Sequence, residues 1–444
     1  MKPLVIELDD RAVCLARAGA VVSSAPAVVF DGGAPDAWRA LRSHPTATSS
    51  RHLESVLTQP DVSEKTLALL TADLSSRLAI KQAGERLWIV TPAVAEARGL
   101  GTLLGVMEGF AAEVDGFVDA ATATTAALAI ERSAIVLELG LHHSAATFVE
   151  VSAGMARRRR SVRTERGGLI ELYQSWVEFI GAAMVKRTRF DPLHDAQTEQ
   201  LLFDAVPGLL RDVESAGAAT AAVSRGAERF EVELSRDQFA LAAQPLTREI
   251  LRLIHELRPA GTALTIAVPC VVSTMPGLAE EIEQFVDCEL VSVPDGFAAA
   301  GLSLLDLPEH SAGQPVHLLR RLALQAQPPL AEAVARRRLG GRRAGGPPPT
   351  HILFEGRAIA IGSEAMVVGR APGSARSVTL PDGFAGVSRR HCTFVRDGED
   401  LVLLDHSSFG TFVNGERVAE RVRVYSGDRV KLGEPGVEMA LISV

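Results

Sequence analysis

Three short clusters in the last quarter of the chain place guanidinium groups beside glycines and small hydroxyls. They are Gly369-Arg370, Val387-Ser388-Arg389-Arg390-His391, and Asp405-His406-Ser407-Ser408-Phe409-Gly410-Thr411, which runs on to Val413-Asn414-Gly415. A guanidinium fork with neutral donors beside it suits an oxyanion such as a phosphate ester, because it supplies charge and hydrogen bonds at little desolvation cost. A second chemistry is suggested earlier and then spoiled. Glu138-Leu139-Gly140-Leu141-His142-His143 follows the apolar run Ile135-Val136-Leu137 and precedes the alternating Thr147–Val151. It reads as strand, tight turn and strand, the frame of a phosphate-binding hairpin whose turn is crowded. No nucleophile paired with a base stands out, and no Gly-rich Walker loop is present.

Other reactive side chains read more plainly. His142 and His143 invite a metal, but neighbouring residues of a strand point to opposite faces and cannot easily share one ion. They are expected to be turn residues. The run Arg157-Arg158-Arg159-Arg160, extended by Arg163 and Arg166, reads as a solvated strand edge guarded by charge, or as a surface for an acidic or phosphorylated partner. Ser161, Thr164, Thr46 and Thr48 look like exposed hydroxyls that a kinase could modify. The four cysteines, Cys14, Cys270, Cys288 and Cys392, have no metal-type spacing and are expected to be reduced thiols.

The elements that must position these groups fall into two textures. Before about residue 327, strand-like runs at Leu4–Leu8, Leu87–Val90, Ile135–Leu139, Ala146–Val151 and Leu264–Val268 alternate with amphipathic stretches such as Leu169–Met184 and Leu246–Leu257, an α/β pattern. After about residue 350, short alternating runs at Met366–Val368, His391–Val395 and Leu401–Leu404 are separated by turn signals, as in a β-sandwich. Between them, Pro, Gly and Arg336, Arg337, Arg338, Arg342 and Arg343 predict a flexible charged linker over 327–349, or an anionic docking site.

Composition fits this division. The 444 residues suggest roughly three domain-sized units. Hydrophobic residues at 47% and charged residues at 23% allow a sizeable core. A net charge of −8 argues against a chain-wide nucleic-acid binder. No apolar run approaches a membrane span and the N-terminus turns acidic at once, so a cytoplasmic protein without membrane insertion is expected.

On the GR, SxxH and GTxVNG elements, residues 350–444 resemble the forkhead-associated (FHA) domain, an eleven-strand sandwich that binds phosphothreonine peptides through loops at one end. The resemblance implies that Arg370 and Ser388 contact the phosphate, that Arg389 adds charge, and that Ser408 lies near the phosphothreonine. Gly369, His391, Gly410 and Asn414 would support the loops, with His391 bracing them. Phe409 stands where the family commonly has an Asn that bonds the peptide backbone, which re-aims recognition beyond the phosphate.

Over about residues 1–307 of a unit read as 1–326, the chain resembles the actin, hexokinase and heat-shock-chaperone ATPase superfamily. The carriers are Leu87–Pro92, Val114–Ala121, the Glu138 hairpin, Gly167–Ile170, Met275–Leu278 and Asp295–Gly301. The resemblance implies an α/β two-lobed fold, with lobes of about 1–134 and 135–326, that holds ATP between two phosphate hairpins and an adenosine loop. All three contacts depart from that pattern. Glu7 replaces the first hairpin's Asp, and Asp9-Asp10-Arg11 replaces a Gly-Thr-Thr type turn. Two carboxylates there would face a polyanion at about 4 kcal/mol per close pair at an effective dielectric constant of about 20. Glu138 replaces the second Asp, with only Gly140 surviving in a bulky turn. Val271 and Val272 stand where a Gly-Gly pair admits adenosine.

The expectation is a non-enzymatic adaptor or scaffold. Its FHA domain would recognise a phosphothreonine-bearing protein, a Ser/Thr kinase or its substrate. Its pseudo-ATPase unit would need no cofactor, mediate assembly and open the way to self-association. The alternatives are an ATP-binding chaperone-like or filament-forming ATPase regulated by phosphorylation, and a cytoplasmic platform of a pilus or secretion machine.

Overall fold

The computed structural model describes the chain apart from residues 1, 31–38, 42–46, 83–84, 111–112, 165–166, 259–262, 283–287, 312–313, 332–333, 339–348, 355–356, 375, 382, 385, 399, 414–415, 427, 434–435 and 443–444. Thr46, Arg166, Arg342, Arg343, Asn414 and Gly415 therefore lie outside the described residues. One compact unit is built from Met1–Arg258, Leu264–Glu283 and Cys288–Arg338, and a second mainly from Leu339–Val444.

The first unit uses one strand plan twice. β1 (Leu4–Glu7), β2 (Val13–Arg17) and β3 (Ala20–Ala25) form an antiparallel meander. β4 (Val29–Phe30) and β5 (Thr48–Ser49) make a separate ribbon. β6 (Leu87–Thr91) then pairs parallel with β1, and β7 (Val114–Asp119) parallel with β6. The plan repeats in β8 (Ala134–Leu139), β9 (Ser144–Ser152) and β10 (Met155–Arg163), again antiparallel. After a hairpin of β11 (Ala218–Arg225) and β12 (Glu228–Ser235), β13 (Leu264–Pro269) pairs parallel with β8 and β14 (Cys288–Val293) parallel with β13. The shared order is β3-β2-β1-β6-β7 in one sheet and β10-β9-β8-β13-β14 in the other.

The apolar texture of the sequence explains the arrangement. β6 is LWIVT and β14 is CELVSV, and every residue of both is buried, as parallel strands covered on both faces require. Two helices of small residues, Ala120–Ala127 (AATATTAA) and Phe297–Leu302 (FAAAGL), join Val5 and Val118 of the first sheet and Val136 and Ala267 of the second in a single buried core. Asp119 caps the first of them by accepting the Thr122 N–H at 2.7 Å. Longer helices close the far faces: Leu53, Leu70, Leu74 and Leu103 pack with Leu4, Ile6 and Ile89.

Several boundaries differ from the sequence reading. The helix expected from Leu246 begins at Arg236, where Ser235 and Gln238 form a capping box, and Pro245 lies within it. The capping signal outweighs the proline, which removes a single backbone bond. The two sheets are not consecutive stretches of chain either. β15 (His317–Leu319) joins the first sheet beside β7, while β16 (Arg321–Ala323) joins the second beside β10. β17 (Ala335–Arg338) pairs antiparallel with β14, so the first unit runs into the segment read as linker from residue 327. An edge position asks only for backbone partners and tolerates charged sequence.

The second unit is an all-β sandwich. One sheet holds, in spatial order, Arg357–Ala360, His351–Phe354, Val437–Ile442, Arg429–Leu432, Thr411–Val413 and Glu416–Arg417. The other holds Ser377–Thr379, Met366–Gly369, Cys392–Asp397, Asp400–Asp405 and Arg421–Val424. Ile352, Val368, Phe394, Leu403, Val430 and Leu441 are fully buried in its core. Period-2 alternation places them there, as along Val437–Ile442.

Candidate functional site

In the second unit, glycine and backbone pairing bring the loops together. Gly369 ends its strand so close to the next loop that a Cβ would lie 2.2 Å from the Arg389 carbonyl oxygen. With no side chain in the way, the Arg370 N–H donates to Ser388 O at 3.2 Å and the Ala371 N–H to Arg389 O at 3.0 Å. Arg370 is half-buried, and its Nε donates to Val387 O at 2.5 Å. Neither Arg370 nor Arg389 has an ion-pair partner among the described residues.

His391 ties this loop to the next. It is fully buried, its Nδ1 accepts the Ser388 N–H at 3.0 Å, and its Nε2 lies 3.1 Å from Gly410 O. That pair of partners selects the neutral tautomer protonated on Nε2. Burial lowers its pKa, which keeps the ring uncharged. Ser388 Oγ accepts the Ser408 N–H at 3.2 Å, a third link between the loops. Gly410 sits at φ +82°, a left-handed turn that a side chain would strain.

Asp405 organises the far side of the same loop, a role the sequence reading did not assign. Its carboxylate accepts the Ser407 N–H at 3.0 Å and the Thr411 hydroxyl at 2.7 Å. Burial opposes ionisation, but these bonds from Thr411 and Ser407 outweigh it and hold the carboxyl below its usual range. The signal was local: an Asp two residues before a Ser, as in an Asx turn. Arg370, Ser388, Arg389 and Ser408 thus share one loop cluster, with Gly369, His391 and Gly410 as its supports. Phe409 projects from it, 57% exposed.

The first unit brings most of the other singled-out residues to one cavity of about 50 Å³, lined by Glu7, Asp9, Asp10, Glu138, Gly140 and His143 with apolar neighbours including Leu53 and Val90. Three carboxylates there each take a backbone N–H. Glu7 Oε2 accepts from Ala299 at 2.9 Å, Asp10 Oδ1 from Leu141 at 2.8 Å, and Glu138 Oε2 from Ala93 at 2.9 Å. Each bond joins segments far apart in the chain: Glu7 to the helix Phe297–Leu302, Asp10 to the turn after β8, and Glu138 to the segment after β6. Gly140 is required by this contact, since a Cβ would lie 2.7 Å from Asp10 Oδ1. Arg11 completes the join: it pairs with Asp9 at 3.1 Å and Asp295 at 2.7 Å, and its Nε donates to Leu139 O at 3.2 Å.

The electrostatics follow from burial. It pushes Glu7 up to about 7, Asp10 to about 7 and Glu138 to about 8, and raises Asp9 as well. Asp10 Oδ2 and Glu138 Oε1 are buried with no hydrogen-bond partner among the described residues. The backbone N–H groups of Ala299, Leu141 and Ala93 are thus occupied by the chain's own carboxyl groups.

Asp10 faces the second hairpin, where its Oδ1 takes the Leu141 N–H. Val271 and Val272 sit in a one-turn helix, Cys270–Ser273, and do not line the cavity. His142 and His143 lie in the turn after β8, as expected, but are buried there, and face Ser50 Oγ at 3.0 Å and Glu54 at 3.3 Å respectively. Among the described residues no cluster could hold a metal. β16 covers only Met155–Arg157 of β10, and among the described residues Arg158, Arg159, Arg160 and Arg163 stay on the edge of the sheet. Arg158, Arg159 and Arg160 pair with Asp119, Glu150 and Glu256. Thr164 is buried against Ser144, not exposed. All four cysteines are free thiols.

No described helix is long and apolar enough to cross a membrane. The FHA domain family matches residues 366–433, the stretch that carries the whole loop cluster. No curated protein matches the chain.

Proposed function

We propose that the protein is a non-enzymatic adaptor that binds a phosphothreonine-containing partner through the loop cluster at Arg370, Ser388, Arg389 and Ser408. The FHA domain at 366–433 supports phosphothreonine recognition in general. The observation that carries the site assignment is the unpaired Arg370 and Arg389 held beside Ser388 and Ser408 by His391 and by backbone bonds. A phosphothreonine brings about −1.5 to −2 charges and three acceptor oxygens, which this set complements. A Ser/Thr kinase, or a protein it has modified, is the partner class that follows.

The first unit acts in this reading as an actin-like pseudo-ATPase scaffold. Two sheets of one strand order, each opening on a hairpin at a common cavity, support the two-lobed reading. The carboxylates of Glu7, Asp10 and Glu138 on the cavity's backbone N–H groups support the absence of nucleotide chemistry, because an incoming phosphate would have to displace them. Calorimetry of the intact chain tests both halves. A phosphothreonine peptide binds and its unphosphorylated twin does not, while millimolar Mg-ATP gives no binding heat. Mg-ATP binding would overturn the scaffold half alone. Sedimentation of the intact chain tests self-association through the first unit.

A further inference from the structure

Phe409 is the only exposed aromatic side chain among the described residues. Its backbone is not loose. Ser408 on one side donates its N–H to Ser388 Oγ. Gly410 on the other accepts from His391 Nε2 at 3.1 Å and from the Gly433 N–H at 2.9 Å. Asp405 anchors both ends of the loop through Ser407 and Thr411. A rigid tip therefore holds an apolar ring in water, next in sequence to one of the four residues assigned to the phosphate.

A phenyl ring neither donates nor accepts a hydrogen bond to a peptide backbone. What it offers is apolar surface whose removal from water is favourable, at low entropy cost because the side chain has two torsions. Arg389 and Arg390, both exposed, belong to the neighbouring loop, which Ser388 joins to Ser408, and supply the charge. Charge on one side and an apolar ring on the other fit a ligand with the same division.

We propose that Phe409 is a specificity-determining residue that selects phosphothreonine peptides carrying an aliphatic or aromatic side chain close to the phosphate, against peptides with a charged residue there. The proposal rests on the phosphopeptide reading above. It adds that the affinity of the phosphate anchor is sorted among partners by apolar contact.

The test uses the full chain with a positional-scanning phosphothreonine peptide library, followed by fluorescence anisotropy on the selected peptide and its Glu-substituted twin. Wild type selects an apolar residue at one position near the phosphothreonine. Phe409→Ala weakens the selected peptide roughly five- to tenfold and leaves the Glu-substituted twin unchanged, so the preference collapses. Phe409→Leu retains most of it. Arg370→Ala abolishes binding of both peptides. An apolar preference that survives Phe409→Ala, or Arg370-dependent binding with no apolar preference, overturns the proposal while the phosphopeptide reading stands. Binding that ignores phosphorylation or Arg370→Ala overturns that reading instead. Because Phe409 is exposed, its variants keep the wild-type melting temperature, which separates lost contact from lost fold.

Discussion

Glu138, in the first strand of the second sheet, reaches to Ala93, two residues beyond β6 of the first, and accepts its N–H at 2.9 Å. The bond links the strand end of one sheet to the segment that leaves a strand of the other. Glu138→Ala leaves a buried N–H unsatisfied, at about 1–3 kcal/mol. The expected result is a lower midpoint in denaturant melts. Glu138→Gln keeps an acceptor and removes the ionisable group, so it retains the midpoint at pH 6 and exceeds wild type at pH 8.5.

Stability should fall as pH rises towards 8. Glu7, Asp10 and Glu138 are raised to about 7, 7 and 8 from ordinary values of 4.5, 3.8 and 4.5. The folded state therefore holds protons that the unfolded chain has released. Their contribution is fully present below the unfolded values and is lost as pH climbs through the folded ones. His143, also raised, adds to the fall. His142, which burial lowers to about 4, works in the opposite sense below about 6.5. The decline is thus cleanest between about 6.5 and 8. Denaturant melts at several pH values across that range check it, and an Asp10→Asn, Glu138→Gln double variant should flatten the slope.

Gly140→Val tests the close approach of the two hairpins. A Cβ at Gly140 meets Asp10 Oδ1 at 2.7 Å, so the variant must separate the turn from Asp10 or break the Asp10 bond to Leu141. Overpacking of this kind costs about 1–3 kcal/mol. A lowered melting transition is expected, and an unchanged one would mean that the hairpins do not meet.

His391→Ala should weaken phosphopeptide binding without touching the phosphate-facing residues. It removes the acceptor of the Ser388 N–H and one of the two donors to Gly410 O, and so loosens the tie between the loops. Binding by wild type should strengthen as pH rises through about 6, the second ionisation of the phosphate. His391 adds nothing to that profile, because burial keeps it neutral. Anisotropy titrations from pH 5.5 to 8 measure both effects.

The sequence exposed what is local and concealed what depends on distant partners. Apolar runs marked β1, β6, β8, β9 and β13 because buried strands need them. The Gly, Arg, Ser and His spacings of the second unit marked its loops because one strand end and two turns carry the cluster. β15 and β16, three residues each, are too short to show a period, so their return to the two sheets could not be read from sequence. The Glu7 bond to Ala299 joins residues 292 positions apart, and nothing near Glu7 in the chain announces it. Two turns that read as damaged phosphate loops become intelligible only when their carboxylates are seen to hold the opposite sheet.

The most direct measurement is calorimetric titration of the intact chain with a phosphothreonine peptide selected from a library, beside its unphosphorylated form and the Arg370→Ala variant. Saturable binding that requires the phosphate and vanishes in Arg370→Ala is the predicted result. Equal binding of both peptides, or full binding by Arg370→Ala, would contradict the role assigned to the loop cluster.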